Sequence, residues 1–236
     1  MKSKVLMCGV FSLLVIFCLG IFGCGSKETV VYVPATEYPG SITGTLSTIE
    51  GLVSPGVAVE LTQLSTTTKF STQTDINGYY SFYDLPDGRY ILRYVKSGYV
   101  TFNISTIVSG LHKDISGNLL TSSEITQFFG PAHPYNSQKG LVGAYVRSGR
   151  YAGLAGATVS LSPASYEGLG YQIADYSFDW TANSTILGYA MFYNVTPGNY
   201  TVTASRTGYT MSPVSYTGVP VLAGEITQVE FIPTQN

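Results

Sequence analysis

From Tyr79 onward the chain alternates: Tyr80 and Phe82 fall to one side, and Tyr79, Ser81 and Tyr83 to the other. That is the period of a half-buried strand. After Leu85-Pro86-Asp87-Gly88 the alternation resumes, with Tyr90, Leu92 and Tyr94 sharing a face. The Pro/Gly turn between the runs predicts two antiparallel strands joined at a corner. The pattern returns later as Ala190 and Phe192, then Tyr200, Val202 and Ala204, on either side of Thr196-Pro197-Gly198. Two further alternating runs precede each hairpin, residues 40–46 and 55–61 before the first, 140–146 and 155–161 before the second. The pairs Pro55-Gly56 and Ala155-Gly156 mark turns, and Val57, Val59 and Leu61 are expected to face inward. Residues 67–74 read as a polar strand. Residues 99–120 supply the closing strands, with Ile104, Ile107, Leu111 and Ile115 as expected core.

The two hairpins are copies. Gly78, Gly88, Tyr90, Gly98 and Tyr99 find partners in Gly188, Gly198, Tyr200, Gly208 and Tyr209, all displaced by 110 residues. A fixed displacement of this kind means one module present twice. Gly56 and Gly156 are displaced by only 100, so roughly ten residues have been added between Leu161 and Gly188.

The run Asp75-x-Asn77-Gly78-x-Tyr80-x-Phe82, then Leu85-Pro86-x-Gly88-x-Tyr90, then Gly98-Tyr99 resembles the carboxypeptidase regulatory-like family. The resemblance implies an all-β fold, two tandem seven-stranded, transthyretin-like (prealbumin-like, Greek-key) β-sandwiches over residues 39–121 and 140–236. It implies no particular activity, since related sandwiches occur in adhesins, transporters and polysaccharide-binding proteins. Residues 85–90 and 195–200 also resemble the tyrosine corner of Greek-key sandwiches, in which a phenol bonds a backbone group upstream. Tyr90 and Tyr200 are then structural, Gly78 and Gly188 are turn glycines, and Gly88 and Gly198 are expected at positive φ.

Between the sandwiches lies a linker, 122–139. Thr121-Ser122-Ser123-Glu124 has capping-box spacing, which leaves 122–129 open to one or two helical turns or to a strand extension. Two prolines and a glycine in 130–136 permit no regular element.

The N-terminus changes the picture. Lys2 and Lys4 precede an uncharged apolar run, residues 5–22, which reads as a secretory leader, 1–23. Ile21-Phe22-Gly23-Cys24 resembles the bacterial lipobox, which implies lipidation of Cys24 and a membrane partner. A retained signal anchor is the other reading. Residues 24–38 form a tether, and the cell envelope follows as the location, the outer membrane or cell surface ahead of the inner membrane. All three cysteines lie within the first 24 residues, so neither sandwich holds a disulfide or a cysteine metal site. With 12 basic and 14 acidic residues the chain has a formal charge of −2 and no basic stripe for nucleic acid.

The chemical candidates are few. Asp75-Ile76-Asn77-Gly78 resembles the opening of a calcium loop but lacks the closing Glu, and reads as a tight turn; no metal or cofactor is expected. His112 and His133 belong to no metalloprotease arrangement, so no catalytic residue is assigned. Tyr166, Tyr171, Tyr176, Phe178 and Trp180 crowd the added segment, and the last three alternate with Ser177 and Asp179. This aromatic face either fills the second core or forms an exposed platform for a protein or polysaccharide partner. The expectation is a non-catalytic, membrane-anchored spacer or interaction module, with a carbohydrate-binding surface protein as the alternative.

Overall fold

A computed structural model describes residues 39–147, 152–174, 177–182 and 184–236. The leader, the lipobox with Cys24, and Tyr176 lie outside the described residues.

The first half contains β1 (Gly40–Thr48), β2 (Ala58–Gln63), β3 (Lys69–Gln73), β4 (Tyr79–Leu85), β5 (Gly88–Val95), β6 (Thr101–Val108), β7 (His112–Asp114) and β8 (Gly117–Leu119). One sheet runs β4-β1-β7, with β8 also pairing β1 further along, so β7 and β8 are one strand broken at Ile115-Ser116. The facing sheet runs β3-β2-β5-β6. Ile42, Leu46, Tyr80 and Leu85 from one layer pack on Val59, Leu61, Tyr90 and Leu92 from the other, all at most 1% exposed.

Next come α1 (Ser122–Phe129), then β9 (Gly140–Val146), β10 (Thr158–Ser162), β11 (Gly168–Ala174), β12 (Ser177–Asp179), β13 (Tyr189–Val195), β14 (Gly198–Ser205), β15 (Tyr209–Ser212), β16 (Ser215–Val221) and β17 (Glu225–Gln235). The capping box forms: the Glu124 backbone N–H donates to Thr121 Oγ1, and the Thr121 N–H donates to the Glu124 carboxylate. These bonds satisfy N–H groups that the helix start leaves unpaired, and the segment is helix rather than strand. The second half is again two layers, β12-β11-β13-β9-β17 against β10-β14-β16, around Val142, Phe192, Val202 and Phe231.

Strand β17 joins the halves. It pairs in parallel with β9 on one edge and with β6 on the other, so a single ten-stranded sheet crosses the molecule. Residues 130–136 contain no regular element, but the connecting segment is docked on the second half. The Asn136 N–H donates to Asn194 Oδ1, the Asn194 amide donates to the Pro134 carbonyl, and Lys139 donates to Thr196 Oγ1.

The shared sheet corrects one core assignment. Leu111 lies in the turn before β7 and is 71% exposed, while Ile104, Ile107 and Ile115 are half-buried. Val100, Phe102, Val108 and Leu119 are the buried apolar residues there. Strand β6 lies inside the ten-stranded sheet, so polar Asn103 and Ser105 are buried as well, and simple alternation fails. Every residue of β13 is buried for a related reason. Ala190 and Phe192 face the second core, while Tyr189, Met191 and Tyr193 face a cluster continuous with the first.

Candidate functional site

The repeated motif residues are structural. Tyr90 donates its phenol hydrogen to the Pro86 carbonyl at 2.7 Å, and Tyr200 donates to the Thr196 carbonyl at 2.6 Å. Gly78 and Gly188 have φ of +73° and +74°; a Cβ on either would meet backbone at 2.4 Å. Asp75 Oδ1 accepts from the Asn77 and Tyr79 N–H groups, as an Asx turn does. Gly88 has φ +153°, but Gly198, expected to match it, is not at positive φ. The positive φ common to both corners belongs instead to Asp84 (+55°) and Asn194 (+49°), each beside a register shift where β4 meets β1 and β13 meets β9. Their 110-residue displacement was the available signal, since Asp and Asn tolerate this conformation better than most residues.

The aromatic segment divides. Tyr171 is 2% exposed, belongs to the second core, and accepts the Val159 N–H, so it contributes to no surface. Tyr166 packs edge-on against Phe192 of that core. Phe178 and Trp180 sit on the opposite face of the same sheet and are half-buried. Trp180 stacks on His133 with ring centroids 4.2 Å apart and meets Phe129 of α1 edge-on at 5.3 Å. The only tryptophan therefore neither fills the second sandwich nor stands as an open platform; it clamps the connecting segment to the shared sheet.

This clamp closes one side of a cleft of about 720 Å³. Its floor is the shared sheet, with Leu141, Met191, Ile226 and Gln228. Residues 114–118 of the broken β7–β8 strand, with Thr45 and Ser47, form one wall, and Phe128, Phe129 and Phe178 form the other. At one end the Arg147 guanidinium pairs with Glu230 and lies over the Tyr145 ring, 4.4 Å from its centroid. Just behind, Lys113 donates to Thr106 Oγ1, and burial lowers its pKa against the opposing pull of Glu230.

The charged side chains lining the cleft are Arg147, Asp114 and Glu230, with Lys113 behind them. Hydroxyl and amide groups supply the rest of the polarity: Ser116 donates to Asp114, Ser47 donates to Asn118 Oδ1, and Gln228 donates to the Tyr189 phenol, whose pKa burial raises well above the ordinary value. Such a lining suits a neutral polar ligand with an apolar face. His112 meets Ser41 Oγ at 3.0 Å, but on an exposed strand pair, and its other nitrogen faces the Thr43 hydroxyl where a triad would place a carboxylate. Among the described residues no group of three His, Cys, Asp or Glu side chains is placed to hold a metal.

Residues 41–116 match the family model of the carboxypeptidase regulatory-like domain. No curated protein matches the chain. Among solved structures, the TIE protein of Bacillus anthracis is 15% identical with a TM-score of 0.30, over 83% of this chain and 34% of that one. A minor pilin of Streptococcus agalactiae is 17% identical with a TM-score of 0.29, over 84% of this chain and 98% of that one. A streptococcal ancillary pilin is 14% identical with a TM-score of 0.29, over 84% and 63%. The chain spans about a third of the length of the Bacillus anthracis protein it matches. The first half thus resembles the carboxypeptidase regulatory-like domain in sequence, and the whole described region is an all-β sandwich protein.

Proposed function

We propose that this chain is a non-catalytic module of the bacterial cell envelope, anchored through a lipidated Cys24, in which the two sandwich halves act as one stiff body presenting the cleft to a partner. The observation that carries this reading is the parallel pairing of β17 with both β9 and β6. Tandem domains on a loose linker move independently by default, whereas a shared sheet holds both walls of a cleft in register. A photo-crosslinking side chain at Gln172, inside the cleft, should capture a partner in intact envelopes, while one at Tyr83 on the outer face of β4 should not. Equal capture from both positions would reject the cleft as the contact. Cys24→Ser should leave the sandwiches folded and move them out of the detergent phase; retention there would favour an uncleaved apolar leader.

A carbohydrate partner is the second reading. The Arg147–Glu230 pair and the amide and hydroxyl groups along an aromatic-walled cleft of about 720 Å³ favour a neutral oligosaccharide over an anionic ligand. Glycan-array binding that is lost in Gln172→Ala would support it, and an array without signal would leave the protein partner.

A further inference from the structure

The fold fixes which end of the body the N-terminal segment enters. Gly40 opens β1 packed so closely that a Cβ on it would lie 2.2 Å from Val108 and 3.6 Å from the Leu111 carbonyl. At this same end Leu111 is 71% exposed, Val214 73% and Ile232 47%. They are neighbours: Leu111, Pro213 and Ile232 line one shallow hollow of about 300 Å³, and Val214 follows Pro213. The sheet explains why residues so distant in sequence meet. Because β17 runs parallel to β6, with Gln228 opposite Ile104, Ile232 arrives beside the end of β6 and the turn carrying Leu111. Strand β15 pairs Ser212 with Ile232 and brings Pro213 and Val214 to the same place.

We propose that this patch is a lipid-contact surface, seated in the interfacial layer of the bilayer that holds the anchor. The inference rests on the anchored reading above and adds an orientation to it. Cys24 precedes Gly40 by 16 residues, so an acylated chain keeps the Gly40 end within about 55 Å of the bilayer at full extension. Exposed branched side chains on turns then partition into the layer between headgroups and acyl chains. The charged groups nearby are mixed, Arg89 and Lys113 against Asp87 and Glu230, so contact is driven by apolar burial and should not require anionic lipid. Leu52, Val53 and Ile76 are exposed as well, at the far end of β1, nine residues or about 30 Å away. With the first end down, the far end points into solvent.

The test uses the acylated full chain in phosphatidylcholine vesicles, with an environment-sensitive fluorophore on Val214→Cys, on Leu111→Cys or, as control, on Ile76→Cys. Lipids carrying a quencher should reduce emission at 214 and 111 by about twofold or more, as expected for groups within the interfacial layer, and leave 76 unchanged. Phosphatidylglycerol should not alter the result. Water-like emission at all three sites, or quenching only at 76, overturns the proposal. The same labels read in Cys24→Ser held by an N-terminal hexahistidine on nickel-chelating lipid separate the two claims. Quenching at 214 there, with flotation of the untagged Cys24→Ser chain equal to that of the wild type, would sink the acyl anchor and keep the lipid-contact surface.

Discussion

The first half carries Gly44, Tyr80 and Tyr94 where the second carries Ala144, Ala190 and Ala204, and the last strand of each half behaves accordingly. In the first, the Tyr80 and Tyr94 phenols lie 2.5 and 3.0 Å from the Ile115 carbonyl and 2.7 Å from each other. That carbonyl leans over Gly44, where a Cβ would be 2.2 Å from its oxygen. The strand breaks there into β7 and β8, and the hydroxyls satisfy an acceptor that the sheet ladder no longer reaches. In the second half three alanines offer neither hydroxyl nor gap, and β17 runs unbroken for eleven residues. An unbroken strand pairs on both edges and splices the halves; a broken one leaves a polar wall and a cleft. A cavity in one half and a joint in the other therefore go with exchanges at three core positions, two of Tyr for Ala and one of Gly for Ala.

The hardest blow to the joint is Phe231→Ala. The side chain is fully buried in β17, and its loss should cost about 3–5 kcal/mol in urea unfolding. Because β17 belongs to both halves, the transition should remain single; two separate transitions would show that the splice does not couple them. Next is Gly44→Ala, which pushes a methyl group into backbone and should cost about 3 kcal/mol, whereas Ala144→Gly in the second half should cost only about 1 kcal/mol. Similar losses at the two sites would mean that the break at Ile115 does not depend on the glycine.

Removing both hydroxyls in the Tyr80→Phe, Tyr94→Phe double variant leaves the Ile115 carbonyl without its phenol partners and should cost about 1–3 kcal/mol. The same variant sharpens the comparison through pH. Burial raises the pKa of both phenols, and in the second half burial pushes Tyr216 up to about 12. A phenol whose folded pKa exceeds its unfolded value of about 10 keeps its proton only in the folded state. Its contribution is fully present below that value and lost as pH rises toward the folded pKa. Stability should fall from about pH 10 to about pH 12, and fall less steeply in the double variant. Equal slopes would remove the buried pair as the cause. The smallest effect is at the corners: Gly88→Ala should cost about 1 kcal/mol for its positive φ, and Gly198→Ala no more than about 0.5 kcal/mol. Equal midpoints for the two would erase that asymmetry.

Much of the scaffold was legible because its causes are local. The alternation around Tyr80 and Tyr90, the Asx turn at Asp75, the corner phenols and the capping box at Thr121 each involve residues within a few positions of one another. The cleft was not legible, since its walls come from Thr45, Ser47, residues 114–118, Phe128, Phe129, Gln172 and Phe178, brought together only by the shared sheet. Trp180 shows the limit best: period two placed it on a strand face but carried no information about what covers that face, and the cover is Phe129 and His133 from the connecting segment.

By itself the sequence determined two β-sandwich halves, the inward faces of the first hairpin and most of the turns, because backbone conformation and side-chain alternation are properties of neighbouring residues. Only the tertiary structure decided that β6 and β17, more than 120 residues apart in the chain, lie edge to edge. Strand edges expose the same N–H and C=O groups whatever their side chains, so which two edges meet is settled by the packing of the whole body and not by the pattern along either strand.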